Sequence, residues 1–401
     1  MDKFTKEITS KERSFSGFWA VVKRELHRFV SRRIYVVASL IIPIVSYIYF
    51  TTMFSSGLPS NLPVAVVDND NTSLSRNLIR QMDAMQMTHI AMHLNNFYEA
   101  EREMKKGNIY AFVIIPNDLQ ADVLAGRQPE LLFYYNNAYF VPGGLLFKDL
   151  SFMSSMASAS VGLTSGLAKG KTAEELKGQL QPIVVDAHLI GNPYINYSVY
   201  LSNVLIPGVL QLMILLVCCF AIGIELKEKT SREWMQVADN SIMKALMGKL
   251  FPYTVIFTAL VIFQNVILFR ILGFPLHNNI AMMLFASVLF VLATQAISVF
   301  MIGMLPVSRN AMSFSAVFGI LGISYSGFTF PVEQMPIAVQ AMAQFFPMHH
   351  FFKIYQNGAL NGAPIDYYWI SYLILLLFIL LPFLVIIRLK KAMIHMDYPS
   401  K

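Results

Sequence analysis

The sequence predicts an α-helical polytopic membrane protein of about six transmembrane helices with an inserted extracytoplasmic α/β domain, on three observations. Of 401 residues, 55% are hydrophobic and 14% charged, against roughly 45–50% and about 25% in an ordinary soluble domain. Six low-charge runs are each long enough to cross ~30 Å of hydrocarbon as a helix. Lysine and arginine collect on alternate connections between those runs, the asymmetry that orients membrane helices.

Residues 1–33 form a cytoplasmic N-terminus carrying an amphipathic helix. Phe15, Phe18, Trp19, Val22, Leu26, Phe29 and Val30 recur at three- and four-residue steps, while Lys23, Arg24, His27, Arg28 and Arg32 fall mostly on the other face. Such a helix lies in the membrane interface, aromatics in the lipid boundary and cations toward headgroups. The first span, residues 34–54, is too long for the apolar core of a cleavable signal peptide, and Pro43 inside it predicts a kink.

Residues 55–199 read as the extracytoplasmic domain with a helical stalk. LPVAVVD (Leu62 to Asp68), THIAMHL, IYAFVII and ELLFYYN are the candidate strands. The helices are expected from Ser73, as cap, through Met85, over Asn96 to Lys106, and over Asn117 to Ala125. Alternation of the two predicts a mixed sheet covered by helices. The stalk runs from Pro142 to about Gln181, and GNPY at Gly191 to Tyr194 marks the break before the next span. Residues 200–390 hold five further spans: Tyr200 to Ile224, Phe251 to Leu272, Ile280 to Leu305, Met312 to Phe330 and Tyr367 to Ile387. Residues 391–401 are a cytoplasmic tail.

Six spans place both termini on one side. Lys3, Lys6, Lys11, Arg13, Lys23, Arg24, Arg28, Arg32 and Arg33 precede the first span, and Lys227, Lys229, Arg232, Lys244 and Lys249 follow the second. Arg309, Arg388, Lys390, Lys391 and Lys401 continue the series, so both termini are expected in the cytoplasm and residues 57–199 outside. The net charge of +7 flanks spans rather than forming a patch on a soluble fold, which argues against nucleic acid as a partner.

Little in the chain carries catalytic chemistry. Cys218 and Cys219, the only cysteines, are adjacent within an apolar run and read as packing residues. GLAKGKT (Gly166 to Thr172) has Ser165 where a phosphate-binding loop needs its first glycine, and no apolar strand precedes it. Adjacent His349 and His350 lack the spacing of a helical metal pair and read as a hydrogen-bonded pair; no metal site is expected. Asn71-Thr72-Ser73 and Asn196-Tyr197-Ser198 matter only in a host that glycosylates secreted chains. The spans hold almost no ionisable residues, which disfavours an ion-coupled carrier. They carry neutral polar groups instead, among them Asn203, Gln211, Gln264, Asn265, Thr294, Gln295 and Ser298, expected to bond between helices or to line a pathway. Ser315/Gly319 and Gly322/Ser326 have the small-xxx-small spacing of close helix contact.

Between the second and third spans, IELKEKTSREWMQVADNSIMKALMGKLFPY resembles the cytoplasmic loop of ABC-2 type permeases, the membrane subunits of ATP-driven exporters. Glu225, Glu228, Thr230, Glu233, Gly248 and Lys249 follow that family's order, with Lys229 standing where it has a glycine and no mid-loop proline near Asp239. YSGFTFPVEQMPIAVQAMAQFFPMHHF is similar to its re-entrant or interfacial segment, here residues 331–366, with Pro331, Glu333 and Pro336 in place. VAVVDNDNTSLS is similar to the start of its ectodomain. The resemblance implies an exporter permease that binds no cofactor itself, with ATP and magnesium in a separate ABC ATPase subunit, and the uncharged spans suggest a hydrophobic or amphipathic substrate. A second permease copy or paralogue, membrane lipids and a periplasmic adaptor are the further partners it suggests, and the cell (inner) membrane the location. Residues 225–249 would then be the ATPase-coupling loop, with Trp234 buried at the partner surface as an anchor. A membrane-anchored receptor or assembly scaffold is the alternative.

Overall fold

The computed structural model describes residues 17–168, 170–180, 191–192, 196–277 and 279–395. The chain divides into a membrane unit, residues 1–57 with 189–401, and an inserted unit, residues 58–188. The basic residues Lys3, Lys6, Lys11 and Arg13, Phe15, the Pro193 and Tyr194 half of the Gly191 to Tyr194 break and the tail from residue 396 lie outside the described residues.

The membrane unit opens with α1 (Phe18–Ser31) and, after a turn at Arg32, α2 (Arg33–Met53). Pro43 lies two residues after the end of a π-helical turn, Val37–Ile41. A proline lacks the N–H and crowds the preceding turn, and the widened turn absorbs both defects.

In the inserted unit β1 (Leu62–Asp68), α3 (Ser73–Asp83), β2 (Thr88–His93), α4 (Phe97–Lys106), β3 (Ala111–Ile115), α5 (Leu119–Leu124) and β4 (Leu132–Tyr135) alternate as the sequence predicts. The sheet order is β2-β1-β3-β4, with β1 parallel to both neighbours and β4 antiparallel to β3. β1 is apolar at nearly every position because both its faces are covered. Val64 and Val66 join Leu78, Met82, Leu146 and Leu150 on one side, while Ala65 and Val67 join Ala100 and Phe112 on the other. Thr72, rather than Ser73, caps α3, its hydroxyl accepting from the Ser75 N–H. The stalk is α6 (Phe140–Ala168) and α7 (Ala173–Leu180). Gly166 lies inside α6, and Leu176 packs where its Cβ would be. Gly166 to Ala168 of the GLAKGKT segment thus end α6, and Gly170, at φ +81°, lies between α6 and α7.

The membrane unit resumes with α8 (Tyr197–Lys227), α9 (Ser231–Val237), α10 (Ile242–Ile271), α11 (Ile280–Met304) and α12 (Ser308–Ser324). It closes with α13 (Ile337–Ala343), α14 (Pro347–Ile354, prolonged by a π-helical Tyr355–Leu360) and α15 (Trp369–His395). Among the described residues five helices, α2, α8, α10, α11 and α15, are long and apolar enough to cross a membrane. The sixth expected crossing is α12, only 17 residues and so ~25 Å long. It starts four residues before the expected Met312 and stops six before Phe330. Ser326 is therefore beyond the helix, and of the pair Gly322/Ser326 only Gly322 contributes to helix packing. α12 lies antiparallel along the buried α8: a Cβ at Gly223 would meet Ser308, and one at Gly208, fifteen residues back, would meet Ile323, fifteen residues on. Gly319 admits Leu212 and Leu215 between these points. Small residues thus let two backbones run side by side for about four turns.

Candidate functional site

α10 begins nine residues before the expected third span, so Lys249 is helical and the connection from α8 is shorter than residues 225–249. Gly248 faces α1, where an added Cβ would sit 2.8 Å from Val21 Cβ and 2.9 Å from the Phe18 carbonyl. The missing side chain lets α1 lie against α10, with Val21, Val22, Glu25 and Phe29 on its buried face. That contact delivers Glu25 to Lys249.

Lys249 Nζ lies 2.5 Å from Glu25 Oε2 and 2.8 Å from Glu225 Oε1. The Tyr253 hydroxyl donates to Glu25 Oε1 at 2.7 Å. Arg24 grips Glu225 with both terminal nitrogens, at 2.6 and 3.0 Å, and Arg28 adds a third bond at 2.5 Å. Thr230 donates to Glu225 and accepts from Arg28. Lys249 Nζ also stands 4.9 Å from the centre of the Trp234 ring, a cation–π contact. Glu25, Glu225, Lys249 and Trp234 are each at most 1% exposed. At the rim Arg32 pairs with Glu228 at 2.7 Å, and that hydrogen bond holds the Glu228 carboxyl below its usual range.

Buried charges are tolerated only when paired and saturated with hydrogen bonds. Three cations here (Arg24, Arg28, Lys249) meet two carboxylates (Glu25, Glu225) through bonds that join α1, α8 and α10. α9 closes the arrangement. Ser231 and Arg232 donate to the Met393 and Ile394 carbonyls of α15 at 2.7 and 2.8 Å, and Gly17 N–H donates to the Val237 carbonyl. Lys229 explains its own position: its φ is +59°, the left-handed region that favours glycine, and the Thr230 N–H turns back to the Glu225 carbonyl.

Two expectations are corrected here. Trp234 faces Lys249 inside the subunit rather than a partner surface, because α9 folds its apolar side onto the cluster. Arg24, Arg28 and Arg32 turn to carboxylates of the α8 end rather than to headgroups, leaving Trp19, Leu26 and Val30 as the exposed apolar face of α1 and Val22 buried. Among the expected residues, Glu225, Thr230, Trp234 and Lys249 meet in the cluster and Glu228 at its rim, while Glu233 is exposed on α9. Glu25 was not singled out from sequence. Its signal is a carboxylate on the apolar stripe, three residues after Val22 and four before Phe29.

The remaining candidates are dispersed. Gln295 accepts from Thr254 at 2.8 Å and Asn265 donates to Ser287 at 3.0 Å, both linking α10 to α11. Among the described residues Gln211, on α8, has no hydrogen-bond partner at either amide atom, and the Gln264 carbonyl oxygen has none. Pro331 caps a short turn, Val332–Gln334, Glu333 lies 3.5 Å from Lys353, and Pro336 precedes α13. His349 and His350 donate to the Ser326 and Gln344 carbonyls at 3.3 and 3.0 Å. Cys218 and Cys219 are free and buried. Among the described residues no group of three or more His, Cys, Asp or Glu side chains could hold a metal.

The family model of the ABC-2 family transporter protein matches residues 33–388. The chain is similar at 22% identity to the "Probable multidrug ABC transporter permease YbhR" of Escherichia coli K12, over 89% of this chain and 93% of that protein. It is similar at 22% to the linearmycin resistance permease protein LnrN of Bacillus subtilis 168 (77% and 84% covered). The inner membrane transport permease YhhJ of Escherichia coli K12 matches at 22% (82% and 85%). Helices long enough to cross a membrane, an α/β unit inserted after the first of them and a family match spanning most of both units lead to one assignment: the chain belongs to the ABC-2 transporter family, as a permease.

Proposed function

We propose that this permease exports a hydrophobic or amphipathic substrate, driven by ATP hydrolysed on a separate subunit bound at the Glu225 end of the membrane unit. The observation that carries the reading is the buried network from Glu25 through Lys249 to Glu225. It makes α1, α8 and α10 one mechanical piece directly beneath an exposed, mixed-charge face, Lys227, Glu228, Lys229, Arg232, Glu233 and Gln236. Docking is assigned to that face and force transfer to the network under it. The positive-inside asymmetry supports a cytoplasmic location for this end and for both termini, in an inner membrane. A second permease copy completes the pathway, and a periplasmic adaptor is a further candidate partner of the inserted unit. The printed names of YbhR and LnrN, multidrug and linearmycin resistance, support an apolar or amphipathic cargo.

The test reverses exposed charge without touching the network. Lys227→Glu and Glu233→Lys together should abolish pull-down of the partner ATPase and its substrate-stimulated hydrolysis in reconstituted vesicles, since orienting charges at an interface are commonly worth ~2 kcal/mol or more each. Lys171→Gln serves as control. Full association and full stimulated turnover in the double variant would refute the docking face. Absence of any ATPase on the unaltered protein would favour the receptor or scaffold reading.

A further inference from the structure

We infer that the groove between the start of α10 and the end of α15 is a binding site for one acidic phospholipid. The groove is an open depression of about 270 Å³ lined by Ile242, Ile387 and Ile394 together with Lys390, Lys391 and His395. Two observations select a lipid as the occupant. Phe383, Leu384 and Ile387, on the turns before the lysines, are 56%, 77% and 70% exposed. In a membrane helix such side chains face acyl chains, so the groove is continuous with the lipid-covered surface. At Arg388 the sequence changes from apolar to basic, which sets Lys390 and Lys391 at headgroup depth.

Charge complementarity fixes the headgroup as anionic. Among the described residues neither Lys390 nor Lys391 has a carboxylate partner, whereas nearby Lys244 is paired with Asp239 at 2.8 Å. Basic pockets between membrane helices bind acidic headgroups in this way. The acyl chain occupies the isoleucine-lined floor and the phosphate meets the two ammonium groups. A seated lipid bridges Ile242, the first residue of α10, to α15 one turn from the carbonyls that hold α9.

The test is native mass spectrometry of the full chain released from nanodiscs of phosphatidylcholine mixed with phosphatidylglycerol. One phosphatidylglycerol should be retained per chain in preference to phosphatidylcholine. Lys390→Gln and Lys391→Gln should each weaken retention roughly fivefold, the effect of one cation at an anionic surface, and Lys244→Gln should not. Melting in pure phosphatidylcholine controls for folding; if Lys390→Gln melts lower there, the exposed Lys391→Gln alone decides. Equal retention by the lysine variants and the unaltered chain overturns the site. So does full displacement of the lipid by inorganic phosphate, because a headgroup anion alone would then account for binding. Loss of ATPase association with lipid retention unchanged would assign the lysines to a protein partner, and overturns it too.

Discussion

Two regions of the membrane unit treat buried polar side chains differently: the first pairs its charges, although the Trp234 indole N–H beside them has no hydrogen-bond partner among the described residues. At the end of α8, every buried charge has a partner: Glu225 takes hydrogen bonds from Arg24, Arg28, Thr230 and Lys249, and Glu25 from Lys249 and Tyr253. Midway along the same helix, Gln211 is fully buried and its amide has no hydrogen-bond partner among the described residues. A saturated network has one arrangement and resists displacement, whereas an unsatisfied amide stores free energy that another arrangement could release. The first region is therefore suited to transmit a movement and the second to accommodate one, where α12 packs closely on α8 at Gly208, Gly223, Gly319 and Gly322.

The largest test of this contrast is Lys249→Met. It leaves Glu25 buried with only the Tyr253 hydroxyl and removes one of the cations around Glu225. Breaking a buried pair by deleting one partner commonly costs ~3–5 kcal/mol. The melting midpoint of the purified subunit should fall sharply, and Lys249→Met with Glu25→Gln should recover much of the loss. A single variant that melts with the unaltered protein would mean that the network is not saturated and the contrast does not exist.

How much of this was legible in the sequence follows from which signals are local. β1 ends where the apolar run ends, at Asp68, and the expected spans fall on helices, since hydropathy and turn residues act over a few positions. Helix ends were less legible. α10 runs nine residues beyond its apolar segment because tertiary contacts with α1 hold its first turns. Glu225 and Lys249 could be picked out only through their resemblance to a family pattern. Periodicity showed that Arg24 and Arg28 share a face of α1, but not that the face meets a carboxylate about 200 positions away. Gly248 was part of a pattern, and its reason, the close approach of Val21, is visible only in three dimensions.

His349 and His350 form an intermediate case, buried and hydrogen-bonded yet titratable. Burial pushes His350 down to about 4, against a partial upward pull from its bond to the Gln344 carbonyl, and His349 is lowered for the same reason. The folded state thus favours neutral rings, and the unfolded chain binds protons more readily below about pH 6.5. The stability they contribute is complete above that pH and is lost progressively as pH falls toward 4, by up to about 3 kcal/mol for His350. Melting midpoints compared at pH 7.5 and pH 5 should show the loss, and His350→Gln should flatten the dependence. A profile of equal slope in the variant would place the pH sensitivity elsewhere.

The smallest expected effect falls on Gln211, and it has the opposite sign. Its amide lies against Gly322, where an added Cβ would come within 2.8 Å of Nε2, so α12 packs directly on a group that satisfies none of its hydrogen bonds. Leaving such a group buried costs roughly 1–3 kcal/mol, while replacing it by an apolar side chain of similar shape can be neutral or stabilising. Methionine has nearly the same length and no strong polar atom, so Gln211→Met should leave the melting midpoint unchanged or raise it by an amount worth ~1 kcal/mol. If α12 must move for transport and Gln211 finds its partner in the moved state, the same variant should slow substrate-stimulated turnover in reconstituted vesicles while ATPase association is unaffected. Higher stability with slower turnover would sharpen the contrast between a fixed end and a yielding middle. A fall in melting midpoint comparable to that of Lys249→Met would break it, because Gln211 would then be as firmly bonded as the charges and α8 would carry one kind of buried polarity along its whole length.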